Sequence, residues 1–261
     1  FAKIGYEKRS SLFNNSDQYY INNKEQQYSS NNPLAPEDFT TLSLEQHQVF
    51  KSQITARVVF GQKYVSIPDR KINIGNGRYP RIDITLENGL GASKRGYNYT
   101  QLRTEIYQNF SVANKGDFYY RIKAGTFFSA DDISFIDYQH FNGNQTQVGT
   151  RANYTNVFNT LPYYDFSTNK RYMEGHLEHD FKGWILGKIP GVNKLNFNLV
   201  VGAHLLATQE RKPYSEFSIG IDNLGFGSYR LLRLDYVLSN FNGIQNGNLV
   251  FGLKFLDFLG L

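Results

Sequence analysis

From about residue 44 onward, apolar and polar positions alternate with a period of two, which predicts strands in place of helices. In ITARVVF, Ile54, Ala56, Val58 and Phe60 share one side; in RIDITLE, Ile82, Ile84 and Leu86 do. Residues 97–110, YNYTQLRTEIYQNF, set Gln101, Arg103 and Glu105 against Leu102, Thr104 and Ile106. DFYYRIKAGTF sets Tyr119, Arg121 and Lys123 against Phe118, Tyr120, Ile122 and Ala124. Similar runs cover 171–181, 195–206, 214–222, 229–238 and 248–256. About nine strands follow residue 44, several of 10 to 14 residues. Strands of soluble proteins run about 5–6 residues, whereas a tilted strand crossing a bilayer needs about 9–11.

The face opposite the aliphatic one decides between a soluble sandwich and a membrane barrel. It carries Arg103, Glu105, Arg121, Lys123, Glu174, His176, Glu178, Glu216, Asp222, Arg233 and Asp235, acids and bases intermixed. Such a face suits a wet, hydrogen-bonded lumen, and the aliphatic and aromatic face suits lipid. The expected fold is therefore all-β: an antiparallel transmembrane β-barrel of the outer-membrane type. The links support the same reading. Residues 112–116 and 223–228 are short and belong to one side, while 129–169 and 239–247 are longer and belong to the other. The link 183–194, GWILGKIPGVNK, is apolar. It either lies in the inner membrane interface, with Trp184, Ile185, Leu186 and Ile189 as its apolar residues, or packs under the barrel floor.

Residues 1–43 are Asn-, Gln- and Ser-rich and read as a loop-rich segment with a candidate strand at 1–9; residues 44–261 hold the barrel strands. The chain begins without Met and shows no leader-like apolar segment, so the expectation is a C-terminal piece of a longer protein and of a larger barrel. No cysteine is present, which rules out disulfides and thiolate metal sites. The formal charge of +5 is spread along the chain without a basic stripe, so nucleic acid is not an expected partner. The 40 aromatic side chains of Phe and Tyr (21 and 19) strengthen the strand assignment.

The stretch RYMEGHLEHDF (171–181) holds the densest candidate chemistry. His176 and His179 have H-x-x-H spacing, which serves a metal on a helix. On a strand the two point to opposite faces. Tyr172, Glu174, His176, Glu178 and Asp180 then line one face, and ion pairs with Arg103, Arg121, Lys123 or Arg233 outweigh a zinc site. Arg233, Asp235, Asp222 and Glu216 make a second polar cluster, which either closes the barrel interior or anchors a plug or an inward-folded loop. His140 sits in the long loop, which folds over the barrel mouth or meets a sugar or protein. Neither a nucleophile elbow, a P-loop, HExxH nor CxxC occurs, so no catalytic residue, metal or cofactor is expected.

From about residue 40 the chain resembles a known family. GQKYVSIPDRKINIG, YRIKAGTF, QHFNGNQT, LPYYDFSTNKRYMEGHLEHDFKGWILGKIPGVNKL and YSEFSIGIDNLGFGSYRLLRLDYV look like the C-terminal barrel of a Bacteroidota outer-membrane family of unknown function. The resemblance covers about residues 40–256 and implies an N-terminal carboxypeptidase-regulatory-like β-sandwich in the whole protein. The last 50 residues also resemble the barrel-assembly (BamA/TamA-like) superfamily. Asp222, then Arg233, Asp235 and Tyr236, match its penultimate strands, and Phe255 or Phe258 would be the terminal aromatic; the superfamily's V-R-G-[FY] loop motif has no good counterpart. The similarity implies a non-enzymatic role as subunit or scaffold of an outer-membrane biogenesis or translocation complex. It would lie in the cell outer membrane, beside lipid including lipopolysaccharide and other outer-membrane proteins or lipoproteins. A channel or nutrient-uptake component is the alternative, and an outer-membrane hydrolase ranks last.

Overall fold

The computed structural model describes residues 1–11, 19–20, 23–27, 44–73, 79–150, 153–227 and 229–254. Its long strands are β1 (Ala2–Arg9), β2 (His47–Val59), β3 (Arg81–Leu90), β4 (Tyr99–Ser111), β5 (Asp117–Phe128), β6 (Tyr172–Asp180), β7 (Asn198–Thr208), β8 (Tyr214–Phe226), β9 (Tyr229–Phe241) and β10 (Ile244–Leu253). Each pairs antiparallel with the next in sequence, so they form one meander from β1 to β10. A two-residue strand, Val148–Gly149, adds in parallel to β10. Two small hairpins stand apart from this sheet, Tyr19–Tyr20 with Asn23–Gln27 and Tyr64–Ile67 with Arg70–Asn73. The fold is all-β and mostly antiparallel. Among the described residues β1 and β10 do not pair with each other, so closure of the sheet is not seen. Phe255 and Phe258 lie outside the described residues.

The two faces follow the sequence alternation. Ile4, Ile54, Leu102, Leu177, Leu205, Phe217 and Phe251 project from one face and are exposed, Ile54 and Phe217 at 61%. The other face holds His47, Gln101, Glu174, His176, Glu178, His204, Glu216, Arg233 and Asp235, all buried. What buries them is the link between β5 and β6. Within it Asp137 bonds Arg9 of β1, while the Gln147 carbonyl accepts from the Phe251 amide of β10 at 2.9 Å. About ten residues separate these two anchors; fully extended they could span about 35 Å, and the turn that Asn144 makes with the Thr146 amide and hydroxyl shortens them well below that, more than offsetting the reach of the Arg9 side chain. In a flat sheet the first and tenth strands would stand about 43 Å apart. The sheet therefore curls around this loop, and the polar face is the concave one.

Two links differ from the sequence expectation. Residues 239–247 are not a long loop, because strand pairing continues through Ser239↔Asn246 to Phe241↔Ile244. Only Asn242 and Gly243 turn, at φ 55° and 82°, the left-handed pair that a two-residue hairpin with primed geometry requires. The polar run disguised ladder residues as loop. Nor are the links at the opposite end uniformly short: 60–80 and 181–197 are both long.

Gly116, between β4 and β5, has φ 106°, and a Cβ there would collide with the Asp180 carbonyl oxygen. Gly183 has ordinary backbone and open space around it. Gly116→Ala is expected to lower the unfolding free energy of the folded protein by about 1–3 kcal/mol, and Gly183→Ala to leave it within about 0.5 kcal/mol, both read by urea unfolding.

Candidate functional site

The inward-folded loop has its own internal frame. Thr168 and Gln139 form an isolated antiparallel bridge, the Asn144 amide bonds the Leu161 carbonyl at 3.0 Å, and the Phe158 amide bonds the Asn142 carbonyl at 2.8 Å. Phe141, Phe158, Leu161 and Phe166 of the loop then pack on Tyr172, Leu206 and Tyr214 of the sheet. A second cluster joins Ala130 and Ile133 to Tyr99. The apolar core thus lies between loop and sheet, at the end of the strands where the loop emerges.

Below this core the loop meets the charged residues. Glu216 has no exposed surface and, among the described residues, no ion-pair partner. Its Oε2 accepts from the Asn159 amide at 2.7 Å. Its Oε1 accepts from the Thr160 amide at 2.9 Å, the Thr160 hydroxyl at 3.0 Å and the Tyr214 hydroxyl at 2.7 Å. Four donors aimed at one carboxylate stabilise its charge without a counter-ion.

Arg233 of β9 is the second anchor. Its Nε and Nη2 donate to both oxygens of Asp235 at 2.7 and 2.8 Å, and Nη2 also donates to Glu178 of β6 at 3.0 Å. Glu178 accepts in turn from the Tyr154 amide at 3.2 Å, and the guanidinium lies 4.2 Å from the Tyr154 ring centroid. The Tyr154 hydroxyl seats against Gly149 and Gly252, where a Cβ on either would intrude.

Between the two anchors, His176 and His204 face each other with their Nδ1 atoms 2.9 Å apart, and strand register places them directly opposite. The Asn159 side-chain amide lies 3.1 Å from His204 Nε2, and the Phe158 ring covers His176 at 4.7 Å. If that amide donates, His204 carries its proton on Nδ1 and passes a hydrogen bond to His176. Glu174 pairs with Lys123, which also donates to Asn156 of the loop at 2.7 Å.

The remaining sequence candidates scatter. Arg121 pairs with Glu105, Arg103 with Glu87 at 3.2 Å, and Arg57 with Asp83 at 2.7 Å. Of these, Asp83, Arg103 and Glu105 line a polar cavity of about 360 Å³ together with Gln53, Thr85 and Lys123 among others. Asp222 is buried on the same inner face and takes its cation from Lys254 in place of Arg233. His179 points to the other face, against Phe118 and Phe181, and its Nε2 meets the Lys115 carbonyl at 3.0 Å. His140 bonds Ser167 within the loop at 2.8 Å, and burial holds its pKa below the ordinary histidine value.

Sequence reasoning missed five participants. Tyr154, Asn159 and Thr160 act largely through backbone amides, which carry no residue signature. His204 was legible, because it occupies the inward parity of β7 among Val200, Gly202 and Leu206. Asp137 was hidden in the loop; it accepts from Arg9 Nη1 at 2.6 Å and pairs with Lys51 at 2.7 Å. Burial opposes ionisation of Asp137, but the hydrogen bonds and charges of Arg9 and Lys51 prevail and hold its pKa below the ordinary carboxylate value.

Fold and site together define an all-β protein whose mostly antiparallel sheet packs its polar face on an inward loop. The chain belongs to the family described as "Family of unknown function (DUF5686) C-terminal domain", whose model matches residues 1–221. That match includes the first forty residues, which the sequence resemblance left out, and stops within β8. No curated protein and no solved structure matches the chain.

Two outcomes follow. Arg233→Ala leaves Glu178 and Asp235 buried without their cation and is expected to cost about 3–5 kcal/mol of unfolding free energy; Arg57→Ala, at a solvent-exposed pair, is expected to cost under about 1 kcal/mol. The depressed Asp137 pKa stabilises the folded loop above its unfolded-state value of about 3.9 and loses that effect as pH falls below it. Hydrogen-exchange protection of residues 130–139 should therefore drop below about pH 4, and Asp137→Asn should reproduce much of that loss at neutral pH.

Proposed function

We propose that this chain forms strands of a transmembrane β-barrel in the bacterial outer membrane, plugged by the loop between β5 and β6. The protein would act as a non-enzymatic subunit or scaffold of an outer-membrane biogenesis or translocation complex. One observation carries the reading: burial is inverted. Charged side chains lie inside and aliphatic ones outside, over a face spanning all ten long strands. Soluble monomers rarely expose contiguous apolar patches beyond a few hundred Å². Nine of these strands run 9–13 residues, long enough to cross a hydrocarbon core.

In lipid, unpaired backbone groups along a strand edge cost several kcal/mol each. The free edges of β1 and β10 would thus meet each other or further strands of a larger barrel, an even number in all. The resemblance to families with an N-terminal carboxypeptidase-regulatory-like domain, and to the barrel-assembly superfamily, supports a biogenesis role by analogy. Its partners would be lipid, lipopolysaccharide and neighbouring outer-membrane proteins or lipoproteins. The filled inner face of β6–β9 favours a scaffold over an open pore. The charged cavity beside β2–β5 favours the second reading, a channel or uptake component.

The chain lacks cysteine, so single introduced thiols report their surroundings. In the intact protein reconstituted in vesicles, with any cysteine outside this chain replaced, Leu205→Cys should resist a water-soluble maleimide and have its fluorophore quenched by lipid-borne nitroxide. Gln53→Cys, in the polar cavity, should show the reverse. Equal access of water to Leu205→Cys overturns the barrel. A large steady conductance in planar bilayers would replace the scaffold with the channel.

A further inference from the structure

We propose that the end of the sheet bearing Trp184 is a docking surface for the phosphate headgroups of anionic phospholipids. This rests on the barrel reading and adds a ligand class to it. The link between β6 and β7 is a folded segment. It contains two 3-10 turns, Leu186–Lys188 and Val192–Leu195. The Trp184 amide bonds the Phe181 carbonyl at 3.0 Å, Gly187 bonds Gly183 at 2.9 Å, and Asn193 bonds Ile189 at 3.0 Å. Ile189 and Leu195 stand exposed on it, while Trp184, Ile185 and Leu186 are half-buried.

Cations surround these apolar residues. The Trp184 ring lies 4.6 Å from the Lys188 ammonium and 5.5 Å from that of Lys115, and it stacks on Phe181 at 6.0 Å. Arg230 donates to the Leu195 carbonyl beside Lys194. Among the described residues none of Lys115, Lys188, Lys194 and Arg230 has a carboxylate partner. The nearby acids are already engaged: Lys182 holds Asp117 and Asp180 at 3.2 and 3.1 Å, and Lys254 holds Asp222. At the opposite end Lys94 pairs with Glu45, Arg211 with Asp165 and Lys170 with Asp131, and the exposed Arg95, Arg171 and Lys212 share that end with the exposed acids Asp132 and Glu210. Around Trp184, by contrast, Asp117, Asp180 and Asp222 are all paired, so the charge of the four cations is uncompensated.

A phospholipid leaflet accounts for all three features at once. Ile189 and Leu195 enter the acyl boundary, the indole sits at headgroup depth, and the ammonium groups meet phosphates. An acidic soluble protein would account for the charge and leave the exposed apolar residues unexplained.

The test uses the intact protein in phosphatidylcholine bilayers doped with spin-labelled phosphatidylglycerol or spin-labelled phosphatidylcholine, reading the motionally restricted fraction of each. Selective restriction of phosphatidylglycerol is expected, weakening with salt. The exposed pair Lys188→Ser and Lys194→Ser should reduce that selectivity by about 5-fold per lysine, while Lys94→Ser at the opposite end should not. Equal restriction of both lipids, or selectivity unchanged in the double variant, overturns the proposal while the barrel stands. Failure of the protein to insert overturns the barrel reading and this inference with it.

Discussion

A carboxylate with no exposed surface must find its hydrogen-bond partners inside the protein, and Glu216 finds four of them, two being backbone amides of the loop. The rest of the inner face depends on that constraint. The sheet supplies Arg233 to Glu178, His176 to His204 and the Tyr214 hydroxyl to Glu216, and the loop supplies the remaining donors that all three receive. The loop is therefore part of the fold and not an ornament over it. Without it, several charged groups would lie dry and unpaired or flood with water, and each unpaired buried charge is costly. The loop gains in return, since its amides at Tyr154, Asn159 and Thr160 find their acceptors in Glu178 and Glu216.

The same logic explains why the sheet divides into two halves. Across β6 to β9 the inner side chains are sealed and hydrogen-bonded to the loop. Across β2 to β5 the acids and bases pair among themselves, Arg57–Asp83, Arg103–Glu87 and Arg121–Glu105, around a polar cavity. Neighbouring strands place such partners about 5 Å apart, so ladder pairing needs no loop. Among the described residues Asp137 makes the loop's ion pairs to β1 and β2, and its two cations tether that side. The loop is thereby held at both flanks of the curved sheet, with Gln147–Gly149 joined to β10 at the other.

Much of the architecture was legible because period-two alternation survives in every long strand after residue 44. The separation of His176 from His179 follows from that alternation, as does the inward column Glu174, His176, Glu178. What escaped the sequence was of two kinds. Partner identity escaped because side-chain neighbours depend on register and reach, which a single chain does not print: Asp222 took Lys254 as its cation, and His176 met His204. Polar composition also misled, since Ser239, Asn240, Gln245 and Asn246 look like loop and form ladder. Beyond the core the ladder needs only backbone pairing, so side-chain hydropathy stops reporting it.

Inverted burial also constrains how such a chain can fold. In water the outer face would associate nonspecifically while the inner face gained little from burial, so the driving force for an isolated chain is weak. In lipid the outer face needs no further partner, and the fold becomes a matter of satisfying the polar interior and the strand edges. The hairpins form locally, as in a meander each strand meets its sequence neighbour. The exception is the loop, whose contacts with β7 to β10 wait for strands made after it, such as Asn159 with Glu216 and Tyr154 with Arg233. Seating the loop is therefore the late step. The buried Arg233, Glu216 and paired histidines are groups that stay hydrated until that step completes, which links their burial to curling of the sheet.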